Sequence, residues 1–363
     1  KETPGQLNPF YGAMVQELDY YVGQVFDYLD ETDDPRWPGH KLSENTYLIF
    51  TSDNGGMEGS PSERYTDNRP LDRGKISAME GGTRVPLIIT GPGIPAGMHS
   101  NVMVNGLDFY PTVLSMTGVE KPSGKHLDGC DLTPLLTTDP TDPDLVTEAD
   151  GAPRDSMVWH FPHGVALEST IRIGDYKLIH NYDHLSNPSV DRFELYRLYD
   201  STDGTQRRVD IEEANNLAAE MPERTQAMYR KLTAALAEMN GSYPSYNPKS
   251  DSPLPHADEI PRVISHERTG ATVSVAYEQR AAKVVRADLI YTRNGGERYE
   301  EWFRAPARVD SPGVATAELP VGATHYVINL IDENNFLISS PELQPKSSYR
   351  RGRQYSEDAA RAK

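Results

Sequence analysis

A single cysteine, Cys130, in 363 residues excludes an internal disulfide and any C-x-x-C metal site. No apolar run approaches the roughly 18 residues that a membrane-spanning helix needs. Basic residues are in deficit, 36 Lys and Arg against 54 Asp and Glu, which leaves a formal net charge of −18 and no dense basic stripe. Nucleic acid is therefore not an expected partner, and an anionic substrate would need a locally positive pocket. Neither an initiating Met nor a charged start followed by an apolar segment is present, so no signal peptide is visible. Residues 1–5 read as a loop leading into a helix of a larger design. No internal repeat occurs. Glycine and proline are plentiful at 28 each, and 37% of residues are hydrophobic, which describes a loop-rich folded protein with room for two domains.

The most informative stretch is 47–56, YLIFTSDNGG. Its unbroken β-forming start predicts a central strand buried on both faces. It ends in Asp53 and Asn54, whose carboxylate and amide oxygens are hard donors suited to Ca²⁺ or Mg²⁺ rather than zinc, at the edge of a sheet where ligands bind. Gly55 and Gly56 allow a tight turn below them. An Asx-turn closing a strand explains the same four residues without any ligand.

Before this strand, Asn8 and Pro9 announce a helix whose apolar positions Tyr11, Val15, Leu18, Val22, Val25, Phe26 and Leu29 form one face for packing on a sheet. After it, a polar excursion carries LDRGKISAMEGGTR before a second buried, parallel strand at 85–90. Asp108 is a predicted N-cap for a helix stopped by Gly118. Residues 169–179 and 193–199 alternate like antiparallel strands and 223–239 is strongly helical, which suits a small α+β subdomain. Residues 240–261 read as a Pro/Ser/Asn-rich linker, and the short alternating runs of 262–341 as a β-sandwich-like module. The expected division is 1–150, 151–245, 246–345 and a charged tail at 346–363.

Lys75, some twenty residues after Asp53 and Asn54, is by itself a solvated loop lysine. Combined with the metal-type strand end it would complete an anion pocket for a sulfate or phosphate oxygen. The pair of motifs, followed by V-P-L-I-I, resembles the formylglycine-dependent sulfatases of the alkaline phosphatase superfamily. The resemblance extends in order through DFYPTVL, GCDLTPLL and IRIGDYKLI…ELYRLYD, over about residues 8–239. It implies an alkaline phosphatase-like α/β fold with a parallel or mixed sheet flanked by helices, seen here in its second half. It implies Asp53 and Asn54 as ligands of a catalytic Ca²⁺, Mg²⁺ being less favoured, with Asp53 also able to take a proton from the nucleophile. Lys75 would hold the sulfate or its bridging oxygen. Glu80 and Arg84 fit the family frame and are read as an ion pair bracing the loop.

The segment Trp159-His160-Phe161-Pro162-His163 resembles one found in many carbohydrate sulfatases. Pro162 keeps the two imidazoles off a common helical face, which argues against a two-His metal site and for substrate contact by His160 and His163. A pair of satisfied histidines in a loop is the alternative. The family's nucleophile motif, C/S-x-P-x-R, does not occur in these 363 residues; Ser60-Pro61-Ser62-Glu63-Arg64 has its proline one place early, and Cys130 sits in a structural turn. The formylglycine, the first metal-binding aspartates and the active-site His are therefore expected upstream, in a missing N-terminal half of the same enzyme. Asp72 and Arg73 also depart from the commoner Arg-Gly. The implied activity is hydrolysis of sulfate esters, on a sulfated carbohydrate such as carrageenan or its oligosaccharides, by a secreted or periplasmic enzyme. A phosphoesterase or phosphonate hydrolase of the same superfamily, and a non-catalytic carbohydrate-binding remnant, remain as alternatives.

Overall fold

The computed structural model describes residues 8–58, 66–162, 166–203, 205–250, 254–311, 313–342 and 358–362. The chain divides into two compact units, 1–182 with 190–242, and 183–189 with 243–363.

The first unit opens with α1 (Pro9–Glu31), whose Asn8 side chain accepts the N–H groups of Phe10 and Tyr11 at 3.0 and 3.2 Å. Its stripe was expected on a sheet, yet no residue of α1 is buried and Phe10 is 81% exposed, so the described residues form no core beneath it. The strands β1 (Leu48–Thr51) and β2 (Leu87–Thr90) correct a second expectation. They pair antiparallel, Leu48 opposite Thr90 and Thr51 opposite Leu87, and not as parallel strands. The chain leaves β1 at Ser52 and re-enters β2 at the same end, and the single turn of α2 (Glu80–Thr83) between them is too short for a parallel crossover. Phe50 and Ile88 are exposed, so β1 is not buried on both faces among the described residues.

Helix α3 (Phe109–Thr117) ends at Gly118 in the left-handed region, φ +68°, as the sequence requires. Asp108 stands at its N-cap position, as expected, but its side chain makes no cap hydrogen bond. Its buried carboxylate receives the Asn105 and Cys130 N–H groups at 2.7 and 2.8 Å and both terminal nitrogens of Arg154 at 2.8 and 2.6 Å. The bidentate pair ties the start of α3 to Arg154, and the Cys130 N–H ties it to the segment before α4 (Thr133–Thr137), where Cys130, Leu132, Leu135 and Val146 pack together.

The remainder of this unit is a four-stranded antiparallel sheet in the order β3 (Ser156–Phe161), β4 (Glu168–Ile173), β5 (Tyr176–Asn181) and β6 (Phe193–Arg197), followed by the two-residue strands β7 (Tyr199–Asp200) and β8 (Arg207–Arg208) and by α5 (Pro222–Glu238). Alternation gives the sheet two distinct faces. Ile171, Leu178 and Leu195 meet Met228, Leu232 and Leu236 of α5 on one. Ile179 and Tyr196, with Leu198, Tyr199 and Ile211, meet Met79 on the other. The strand-then-helix order expected of a small α+β subdomain is thus present, with the polar loop before β2 laid across the sheet opposite α5.

The second unit is a seven-stranded antiparallel sheet: β15 (Leu337–Ser340), β14 (His325–Asp332), β11 (Val284–Thr292), β12 (Trp302–Ser311), β13 (Val314–Glu318), β10 (Thr272–Glu278) and β9 (Arg262–Thr269), in that spatial order. Strand β12 pairs with β11 as far as Ala307 and with β13 from Arg308 on, a pairing that itself shifts register between Val309 and Ser311. The sheet folds over there, and Val273, Val275, Ala315 and Ala317 pack against Ala287, Leu289, Ile328 and Leu330 in one core. It is one folded sheet, where a sandwich of two was expected. His266 on β9 bonds Ser340 of β15 and Tyr326 of β14, both at 2.9 Å, drawing the two edges together. Of the expected tail, residues 358–362 lie against β14: Ala360 is buried and its carbonyl accepts the Tyr326 N–H at 2.7 Å.

Leu232, fully buried between α5 and the sheet, supplies a direct check of the first unit's core. Leu232→Ala should lower stability by about 2–5 kcal/mol in chemical denaturation, whereas Val321→Ala, at an exposed turn, should stay within about 0.5 kcal/mol.

Candidate active site

Asp53 and Asn54 lie immediately beyond β1, and the segment 74–84 returns to them through backbone contacts. The Gly55 N–H donates to the Gly82 carbonyl at 2.9 Å, and the Lys75 N–H to the Gly56 carbonyl at 3.0 Å. Asn68 clamps the junction, its Oδ1 accepting the Gly56 N–H and its Nδ2 donating to the Gly56 and Arg73 carbonyls. The approach is possible only without side chains. A Cβ on Gly55 would stand 1.6 Å from the Gly81 oxygen, one on Gly74 2.1 Å from the Gly56 oxygen, and one on Gly82 2.1 Å from the Ser77 oxygen. Gly55 is thus needed for close backbone approach, Gly56 makes room for the Thr66 side chain, and neither has a positive φ. Ile76, next to Lys75, does, at +69°; a β-branched residue there costs about 1–3 kcal/mol and is held by its surroundings.

Lys75 is exposed, and among the described residues no carboxylate pairs with its ammonium. Asp53 is exposed as well, and Asn54 Nδ2 donates to its Oδ1 at 3.1 Å. Carboxylate and amide are therefore already in contact. Rotation of the Asn54 amide about its terminal bond separates this hydrogen bond from a pair of oxygen donors facing one cation. The donor chemistry fits a hard divalent ion, although these are only two of the about six to eight oxygens that Ca²⁺ takes. Among the described residues no group of three His, Cys, Asp or Glu side chains is placed to hold a metal.

Beneath the loop lies a cluster that the sequence did not single out. Lys177, on the face of β5 turned away from α5, has no exposed surface and places Nζ 3.1 Å from Glu80 Oε1 and 2.8 Å from Glu213 Oε1. Glu80 Oε2 receives Arg84 Nε at 2.8 Å, the expected internal ion pair, and Arg84 continues to the Tyr199 hydroxyl. The Glu80 N–H donates to Glu213 Oε2 and the Ala78 N–H to Glu168 Oε1, each at 2.5 Å. Burial pushes Glu80 up, but Lys177 and Arg84 outweigh it and hold this carboxyl below its usual range. Glu213 behaves oppositely: burial, reinforced by the Glu80 charge and only partly countered by Lys177, raises it to about 7. Burial likewise raises Glu168. One signal for Lys177 was available, since in the alternating run it shares a face with Ile179 on a strand buried from both sides. Glu213 sits in a loop with no periodic pattern.

His160 is on β3 and both ring nitrogens have partners. Nε2 lies 2.9 Å from the Ser242 carbonyl, which can only accept, so Nε2 carries the hydrogen. Nδ1 must then accept from Ser169 Oγ at 2.6 Å, and Ser169 in turn accepts from the Tyr182 hydroxyl at 2.6 Å. His163 lies outside the described residues. Cys130 is buried 2.8 Å from Arg154 Nη2, and burial pushes its thiol up to about 11, the state of an inert structural cysteine.

The family Sulfatase matches residues 4–119, and the family N-sulphoglucosamine sulphohydrolase, C-terminal, matches residues 74–231. A sulfatase of Formosa agariphila is 32% identical over 283 residues, covering 72% of this chain and 46% of that protein. N-acetylgalactosamine-6-sulfatase of Canis lupus familiaris is 38% identical over 127 residues, 35% of this chain and 23% of its own length. Arylsulfatase K of Gallus gallus is 27% identical over 254 residues, 69% and 41% respectively. The chain belongs to the sulfatase family, and it spans less than half the length of each of these relatives.

The glycine contact can be tested apart from any activity. Gly55→Ala and Gly82→Ala should open the segment 74–84 and expose Arg73 and Lys75 to trypsin, read by mass spectrometry of the fragments. Gly12→Ala, in α1 with no atom within 4 Å of the new Cβ, should leave the digestion pattern unchanged and add about 0.5–1 kcal/mol.

Proposed function

We propose that the whole protein is a sulfuric ester hydrolase, with Asp53, Asn54 and Lys75 as this chain's share of the catalytic centre. The observation that carries the reading is the glycine-mediated contact that sets the exposed Lys75 loop against the Asp53–Asn54 strand end. In this reading the side-chain oxygens of Asp53 and Asn54 hold a Ca²⁺, which when bound neutralises charge on the sulfate oxygens. Lys75 binds the ester's bridging oxygen and stabilises the alkoxide as it leaves, a task suited to an ammonium with no carboxylate partner among the described residues. The nucleophile, a formylglycine, comes from a segment outside these 363 residues, since none of them lies in a C/S-x-P-x-R frame. That segment belongs to the same enzyme in this proposal and packs beside β1 and α1, whose apolar side chains Phe50, Phe10 and Leu18 are exposed.

The substrate we assign is a sulfated carbohydrate, handled outside the cytoplasm, secreted or periplasmic. Three of the relatives' names support the ester class, and one names an amino sugar as its own substrate. Among the described residues no helix is long and apolar enough to cross a membrane. In this reading His160 and His163 contact the sugar.

In the full-length protein, Lys75→Ala should reduce kcat/KM on an aryl sulfate by roughly 10²–10³-fold, the cost of one lost charge-stabilising donor. A change below twofold overturns the assignment of Lys75. Asp53→Asn should weaken Ca²⁺ binding in titration calorimetry, and unchanged affinity removes Asp53 from the ligand set.

A further inference from the structure

We infer that Glu168, Lys177 and Glu213, none of which belongs to the proposed catalytic set, are positioning residues for Lys75, acting through the backbone of residues 76–80. The inference rests on the assignment of Lys75 made above. Two carboxylates accept alternate backbone N–H groups of the loop, Glu168 that of Ala78 and Glu213 that of Glu80. Between them Met79 is plugged into the cluster of Ile179, Tyr196, Leu198, Tyr199 and Ile211. Lys177 joins Glu213 to the Glu80 side chain, so the loop is held at Glu80 by both its main chain and its carboxylate. The upper end is fixed by the Lys75 N–H on Gly56. Only Ile76 and Ser77 lie between Lys75 and Ala78, the first residue held from below, and Ile76 is in the left-handed region. A segment so short and strained holds its geometry only while both ends are fixed.

Geometry makes this device sensitive to pH. Glu213 is faced by Lys177 from β5, by Glu80 from the start of α2 and by Tyr196 from β6, with Arg84 and Arg172 beyond Glu80. In the unfolded chain Glu213 titrates in the ordinary range, near 4.5, and in the fold near 7. The folded state therefore binds the extra proton between these values. Its stability falls as pH rises through that window, and the loss is complete above about 7. Above it a second buried carboxylate shares the single Lys177 ammonium with Glu80. The loop should be tightest on the acid side of neutrality.

Hydrogen exchange of the full-length protein, corrected for intrinsic rates, reads the loop without requiring turnover. The peptide 74–84 of the wild type should lose protection, at least threefold, between pH 5.5 and 8. Glu213→Gln, which keeps an acceptor for the Glu80 N–H but cannot ionise, should flatten that dependence. Lys177→Met should lower protection of 74–84 at least tenfold while peptides of β10 to β14 stay unchanged, and should lower kcat more than it raises KM; Lys177→Arg should restore part of both. Should Lys177→Met fail to fold, Glu213→Gln decides alone. Wild-type protection independent of pH, an unaltered pH dependence in Glu213→Gln, or a Lys177→Met effect spread evenly over β3 to α5 overturns the inference. Exchange as expected, combined with an inert Lys75→Ala, supports the anchoring of the loop and overturns the assignment of Lys75.

Discussion

The architecture of the first unit depends on main chain lying directly on main chain. Gly55 against Gly81 and Gly74 against Gly56 leave no room for a Cβ between the two segments, and Gly81 and Gly82 allow the loop to fold closely on its own residues 72–77. Two segments that diverge after β1 are thereby brought back to one place, the exit of that strand. The same return fixes the antiparallel pairing of β1 with β2. A loop fastened by backbone hydrogen bonds alone would move with small changes in hydration. What makes this one a fixed support is the layer beneath it.

That layer is the face of the four-stranded sheet opposite α5. It receives one apolar plug, Met79, and a set of charges withdrawn from water: Glu80, Glu168, Lys177 and Glu213. Burying such groups costs several kcal/mol each, and their mutual attraction does no more than offset the loss when every partner is present. The cluster is accordingly weak as a source of stability and strong as a source of specificity. Removing Lys177 leaves the buried Glu80 and Glu213 carboxylates without their shared cation, at a cost of about 3–5 kcal/mol, so the loop keeps the arrangement in which both reach it. Its geometry is dictated by the penalty for every other arrangement.

The elements that could be read from sequence were those whose signal is local. Asn8 and Pro9 at the start of α1, Gly118 at the end of α3, the alternation of β4 and β5 and the apolar face of α5 each state their own structure within a few residues. Asp53, Asn54 and Lys75 were singled out by their joint motifs and the family resemblance, since taken alone they read as an Asx-turn and a solvated loop lysine. What was not legible depends on pairs far apart in the chain. Asp108 reads as a cap until Arg154 is seen beside it, 46 residues later. The partnership of Glu80 with Glu213 spans 133 residues, and nothing near either one announces the other. The direction of β2 was misjudged because a strand's own sequence does not record at which end the chain returns. The β-module's runs were recognised as strands, but the sharing of β12 between two halves of one sheet is a property of register.

That sharing has a consequence for how the second unit comes to exist. Strand β12 has no settled neighbour until β11 precedes it and β13 follows, while β10 with β13 and β11 with β14 are pairings across long stretches of intervening chain. Closure of long loops must come before the contacts that stabilise them, and such topologies fold slowly. On the ribosome, β9 and β10 can form their hairpin early, but the start of β14, at His325 and Tyr326, waits on one side until residues 358–362 have been synthesised. Translation therefore delivers the last partner of a central strand only after every strand of the sheet has been made.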